Sequence, residues 1–133
     1  MAVSILFVCL HGAAKSVMAA AHCRRLAADR GLAVDVGAAG LEPDDVIPPS
    51  VVRGLALEGI DVSGQRPRRP AADDVTGADL VVTFGCDLGP LAAGARRVVR
   101  WDDVPAVSDD FERARDVIVG RVTALVDDLA SRR

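Results

Sequence analysis

The most constraining feature of this chain is an abrupt change of pattern near its start. After Ser4 the run Ile5-Leu6-Phe7-Val8-Cys9-Leu10 is apolar without a break. The small and polar stretch His11-Gly12-Ala13-Ala14-Lys15 follows, and then a helical pattern. A strand with one wet face alternates polar and apolar residues. An unbroken, β-branched-rich strand is one buried on both faces, as in a parallel sheet covered by helices. Ser4 to Cys9 therefore reads as a buried strand, the residues after it as a loop, and Ser16 as the cap of a helix that stops at Gly31.

The rest of the chain repeats the alternation. Ala33 to Val36, Asp79 to Phe84 and Arg96 to Trp101 read as further strands. Ser50 to Glu58, opened by Pro48-Pro49, reads as a helix, and a helical turn is expected over Asp73 to Thr76. Phe111, Ala114, Val117, Ile118, Val122, Leu125 and Leu129 recur at helical spacing, so a long amphipathic helix is expected from a Ser108 cap to Leu129. Asp61 to Pro70 is proline-punctuated and basic, and reads as irregular. Its Arg66, Arg68 and Arg69 read as a solvated cluster. Strands alternating with helices predict right-handed βαβ units in an α/β fold, with ligands beyond the carboxyl ends of the strands. At 133 residues the expected organisation is one domain over 1–133.

Composition narrows the function classes. Half the chain is apolar, 26% is charged, and the formal net charge is −3. That is enough apolar material for a core. It is the wrong sign for a general nucleic-acid or membrane-surface binder, and no apolar run reaches the length of a spanning helix. Cys9, Cys23 and Cys86 are too few for a disulfide scaffold, and with only His11 and His22 beside them no zinc spacing appears, so no metal is expected. The first apolar run has no basic segment before it and meets Lys15 soon after, so it does not read as a secretory signal. The expected compartment is the cytoplasm, and the expected state a monomer or weak dimer.

Lys15 is the single lysine in the chain, and its neighbours give it meaning. Strand, small-residue loop and helix together let successive backbone N–H groups turn inward as an anion nest, with the positive end of the helix behind it. The candidate oxyanion-binding residues are Leu10, His11, Gly12, Ala13, Ala14, Lys15 and Ser16. In that setting Cys9 is expected to be a nucleophile of depressed thiol pKa, with Ser16 donating to its thiolate and Lys15 adding charge. The alternative for Cys9 is a small residue closing a buried strand. For Cys23 that filler reading is the expected one, and for Cys86 filler and redox partner are evenly matched.

The motif Cys9, five residues, Lys15, Ser16 between a first strand and a first helix resembles the signature of the low-molecular-weight protein tyrosine phosphatases and the related thiol-dependent arsenate reductases. There the signature reads Cys, five residues, Arg, Ser. The resemblance continues through Ala39-Gly40, Leu57 to Ser63, Asp79 to Thr83, Trp101 and Phe111 to Ile118, several of these nearer the reductase branch. It implies a four-stranded parallel sheet in order 2-1-3-4 flanked by helices on both faces. It also implies a cysteine-nucleophile enzyme acting on a small oxyanion or a phosphomonoester. A non-catalytic oxyanion-binding module is the third reading, suggested by Lys15 where the family has Arg, because a point charge does not replace a planar fork.

Further roles follow from the same resemblance. The phosphatases carry an Asp-Pro general acid. Here Val104 precedes Pro105, which leaves Asp103 as the candidate acid with Asp102 behind it. No tyrosine is present to wall a phosphotyrosine slot, so selectivity for that ring is not expected. Cys86 lies one residue from where the reductase branch has a second redox cysteine, and Leu88 to Gly94 holds no third. The resemblance thus leaves two routes open. One is a Cys9–Cys86 pair. The other is an external thiol reductant such as thioredoxin, glutaredoxin or a low-molecular-weight thiol.

Overall fold

The computed structural model describes residues 3–132. Four strands, β1 (Val3–Cys9), β2 (Val34–Gly40), β3 (Leu80–Thr83) and β4 (Val98–Arg100), form one parallel sheet in the order β2-β1-β3-β4. Because β1 lies in the middle, both of its faces are covered, which is why its sequence shows no polar break. Ile5, Phe7 and Cys9 point into the larger core. Leu6 and Val8 point into a smaller one on the opposite face.

The larger core is closed by three helices: α1 (Lys15–Asp29), α2 (Pro49–Ala56) and α4 (Phe111–Ser131). Along α4 the fully buried residues Ala114, Ile118, Val122 and Val126 fall four apart and turn one stripe to the core. Phe111, at the start of α4, packs so closely on α2 that a Cβ at Gly54 would lie 2.2 Å from its ring. The smaller core is closed by Val75 of the short helix α3 (Ala72–Thr76) and by Leu88 and Leu91 around a 3-10 turn at Gly89–Gly94.

Some expectations shift. Strand β2 runs on to Gly40 rather than ending at Val36, because residues 37–40 pair in register with β1 up to Cys9 opposite Gly40. Gly-Ala-Ala-Gly has little intrinsic strand preference, so its neighbour dictates its conformation. Helix α4 is capped by Asp110, which accepts from the Arg113 N–H at 3.1 Å, and not by Ser108. Helix α1 begins at Lys15 with no side-chain cap, so Ser16 is not its cap.

Candidate active site

The register brings Cys9, Gly40, Thr83 and Arg100 to one edge of the sheet, at the carboxyl ends of the strands. The order β2-β1-β3 makes the gap between β1 and β3 a topological switch point, where a crevice is expected. The loop after β1 fills it, and its shape is fixed from outside. Leu41, Glu42 and Asp44 donate their N–H groups to the carbonyls of Cys9, Leu10 and His11 at 3.2, 2.7 and 3.0 Å. In a trans peptide the C=O of one residue and the N–H of the next point oppositely. Three carbonyls pulled outward therefore turn the N–H groups of Leu10, His11 and Gly12 inward. The Gly12 N–H duly donates to Cys9 Sγ at 3.2 Å.

Two glycines make this bend possible. Gly12 has φ +62°, in the left-handed region that glycine enters without steric cost. A Cβ on Gly40 would sit 2.3 Å from the Gly12 nitrogen, so the loop lies directly against the end of β2. Past the loop, α1 adds the unpaired N–H groups of its first turn and the positive end of its dipole.

Ser16 is fully buried, and its Oγ lies 3.0 Å from Cys9 Sγ. Although it is not the helix cap, it holds the position beside the sulfur that the sequence suggested. Lys15 lines the same cleft, but its Nζ donates to the Val104 carbonyl at 3.0 Å and ties the loop to the 101–107 segment.

The cleft above Cys9 has a volume of about 370 Å³. Leu10, Pro48, Val51, Phe84, Ala106 and Val107 give it apolar walls, and Phe84 is itself backed by Phe7 and Trp101 at centroid distances of 6.3 and 5.6 Å. The absence of tyrosine therefore did not leave the slot without apolar walls; aliphatic side chains from α2 and the 101–108 segment supply them.

Two expected participants lie elsewhere. Asp103 is paired with Arg121 of α4 and is not among the residues lining the cleft. Asp102 accepts from the Gly85 N–H at 3.1 Å and from Arg100 at 3.0 Å, which braces the loop after β3. The 101–108 segment instead faces the cleft with Ala106, Val107 and Ser108. Cys86 is buried in the smaller core, on the other side of the sheet from Cys9, with its thiol directed at the Val8 carbonyl at 3.5 Å. Burial pushes its pKa up, and the nearby Cys9 adds to that. Cys23 is wholly buried in the larger core, and its pKa is pushed up to about 11 by that burial.

Asp44 was not picked out from the sequence. It lines the cleft, with Oδ1 3.4 Å from His11 Nδ1. The buried His22 and the half-buried Glu58 were missed as well, with His22 Nε2 3.9 Å from Glu58 Oε1. Among the described residues no cluster of three or more His, Cys, Asp or Glu could hold a metal, and no helix is long and apolar enough to cross a membrane.

Residues 4–88 match the family described as low molecular weight phosphotyrosine protein phosphatase. The chain belongs to that family. A Halobacterium salinarum protein named "Putative arsenate reductase" is 31% identical over 127 residues, covering 92% of this chain and 89% of that one. The solved thioredoxin-dependent arsenate reductase of Corynebacterium glutamicum superposes with a TM-score of 0.85 at 28% identity over 99% of this chain. The present chain spans 64% of that protein's length. The low molecular weight protein tyrosine phosphatase of T. tengcongensis shares the fold, with a TM-score of 0.86 at 20% identity over 96% of this chain and 99% of its own. The expected sheet order 2-1-3-4 is the order observed. With the family comes the class: an enzyme of the superfamily that contains arsenate reductases and low-molecular-weight phosphatases.

Proposed function

We propose that this protein reduces arsenate, with Cys9 as nucleophile and a thiol as electron donor. One observation carries the reading. Cys9 Sγ lies at the base of a loop whose N–H groups turn inward, held by the Gly12 N–H and the Ser16 hydroxyl at the floor of an open cleft. Such donors favour a thiolate and also stabilise the charge on an oxyanion bound above it.

In the first step the Cys9 sulfur bonds to arsenic(V), and one arsenic–oxygen bond breaks with its electron pair leaving on oxygen. In the second a thiolate attacks the Cys9 sulfur. A disulfide forms, and the electrons of the sulfur–arsenic bond pass to arsenic, which departs as arsenite. Two sulfurs are oxidised by one electron each and arsenic gains two. The external thiol, of the thioredoxin, glutaredoxin or low-molecular-weight kind, is the preferred donor, because the Cys86 thiol is buried in the smaller core and directed at the Val8 carbonyl. Three free cysteines suit a reducing cytoplasm.

Mass spectrometry after incubation with arsenate and a thiol tests this. The expected products are arsenite and a Cys9 mixed disulfide, both lost in Cys9→Ser. A Cys9–Cys86 disulfide in their place would move the second step to the internal thiol. No adduct and no arsenite refutes the proposal.

The family match favours a second reading, in which Cys9 accepts a phosphoryl group from a phosphomonoester. The apolar walls of the cleft suit an aryl ester. Turnover of an aryl phosphate that disappears in Cys9→Ser supports it, and activity indifferent to Cys9 removes it. On either reading Lys15→Arg should raise turnover about tenfold, since a guanidinium fork holds a tetrahedral oxyanion through two bonds rather than one point charge. No gain would show that the lysine is not limiting.

A further inference from the structure

Moving an oxyanion from oxygen to sulfur leaves one proton to be supplied. The oxygen that departs from arsenic or phosphorus takes the bonding pair with it, and it leaves readily only if a proton arrives at the same time. The 101–108 segment faces the cleft without a carboxyl group, and Asp102 and Asp103 are engaged elsewhere. Among the described residues lining the cleft, those able to carry a proton there are Cys9, His11, Lys15 and Asp44. Cys9 is the nucleophile, and the Lys15 ammonium donates to Val104 O. His11 and Asp44 are left.

These two residues form a unit. His11 Nδ1 lies 3.3 Å from the Glu42 carbonyl and 3.4 Å from Asp44 Oδ1, so two oxygen acceptors flank one ring nitrogen. That assigns a hydrogen to Nδ1 and leaves Nε2 to exchange protons with a ligand. The Asp44 N–H in turn donates to the His11 carbonyl at 3.0 Å, so the carboxylate is fastened to the same loop as the ring it faces. The side chain of His11 is 58% exposed, and it can regain a proton from water after each cycle.

We infer that His11 is the proton donor to the departing oxygen, and that Asp44 is the positioning residue that orients its ring. The inference rests on the cysteine–oxyanion reading above. As the sulfur–arsenic or sulfur–phosphorus bond forms, the opposite bond to oxygen breaks. That oxygen takes the proton from Nε2 of the doubly protonated ring and leaves as water or as an alcohol. The ring is left neutral, with its Nδ1 hydrogen still directed at Glu42 O and the Asp44 carboxylate beside it.

The test compares leaving groups. His11→Asn keeps a side-chain N–H able to reach Glu42 O but has no proton to pass on. Asp44→Asn keeps the shape and removes the charge. Phenyl phosphate has a poor leaving group and p-nitrophenyl phosphate a good one. In His11→Asn the loss in kcat/KM should be at least tenfold larger for the phenyl ester, and the rate of Cys9 adduct formation with arsenate should fall about 100-fold, the lower end of general-acid effects. Asp44→Asn should show the same ordering with a smaller gap. Equal losses on both esters would mean a merely structural role and overturn the inference. If the wild type acts on arsenate alone, His11→Gly with and without added imidazole decides: rescue supports the inference and its absence overturns it. A wild type inert toward all three compounds overturns the underlying reading and this one together, whereas an active wild type with unselective losses overturns this one alone.

Discussion

Replacing Gly40 by alanine tests the bracing of the loop more directly than changing the loop itself. Gly40 does not have a positive φ, so alanine suits its backbone. The obstacle is space. The new methyl would lie 2.3 Å from the Gly12 nitrogen, 2.5 Å from the His11 carbonyl carbon and 2.7 Å from the Gly12 Cα, all of them main-chain atoms that no side-chain rotation can clear. Ordinary contact begins near 3.4 Å, so the loop must recede by about 1 Å. Overpacking of this kind costs about 1–3 kcal/mol, or roughly 4 °C of melting temperature per kcal/mol in a chain of this size. The effect on chemistry should be larger, since a displacement of about 1 Å at a reacting group can cost 10²-fold in rate. Gly64→Ala is the control, because a Cβ there meets nothing. Thermal melting, the rate of Cys9 alkylation by iodoacetamide and its protection by arsenate should all change in Gly40→Ala and stay put in Gly64→Ala. If the two variants melt and react alike, the loop does not depend on β2 for its shape.

Three further outcomes are expected. Ser16→Ala removes a hydroxyl 3.0 Å from the Cys9 sulfur; a hydrogen bond to a charged group is worth about 1.5–3 kcal/mol, so Cys9 adduct formation should slow by about tenfold or more, and an unchanged rate would show that the bond does not matter to the reacting thiolate. Peptide mapping after brief alkylation of the folded protein should find label on Cys9 first, on Cys86 much later and on Cys23 last, because burial holds the latter two thiols above the usual cysteine range; early labelling of Cys86 would show that its core opens. His22 has its pKa lowered, chiefly by burial against an opposing pull from Glu58, with Arg25 and Arg115 lowering it further. The folded state thus binds fewer protons there than the unfolded chain. This contribution is complete above the unfolded value of about 6.5 and is lost as pH falls below it. Denaturant titrations at pH 7.5 and 5.5 should show a larger loss in the wild type than in His22→Gln, and equal losses would remove His22 as the cause.

Much of the architecture was legible because β1 leaves no choice. An apolar strand ending in Cys9 has to lie inside a covered parallel sheet, and the stripe from Ala114 to Val126 can belong only to a helix packed against it. The far half of β2 was not legible, since residues 37–40 become strand by pairing with β1 rather than through their own preferences. The site divides in the same way. The Cys9–Ser16 contact follows from local order along the chain. Asp44 belongs to a connection that looks ordinary in the sequence, and it reaches His11 only because its main chain ties back to the loop. The placement of Asp103 away from the cleft was hidden for a related reason. Position along the 101–108 segment does not say which side chains turn inward, and Arg121, eighteen residues later, draws Asp103 away.

A receptacle held in shape by its own scaffolding recognises an outline rather than an element. The three tethered carbonyls after β1 set the curvature before any guest arrives, and arsenate and phosphate have nearly the same tetrahedral form and charge. Phosphate should therefore lodge there on close to equal terms and act as a competitor. Discrimination is then postponed until after entry, when arsenic accepts two electrons from sulfur and phosphorus does not.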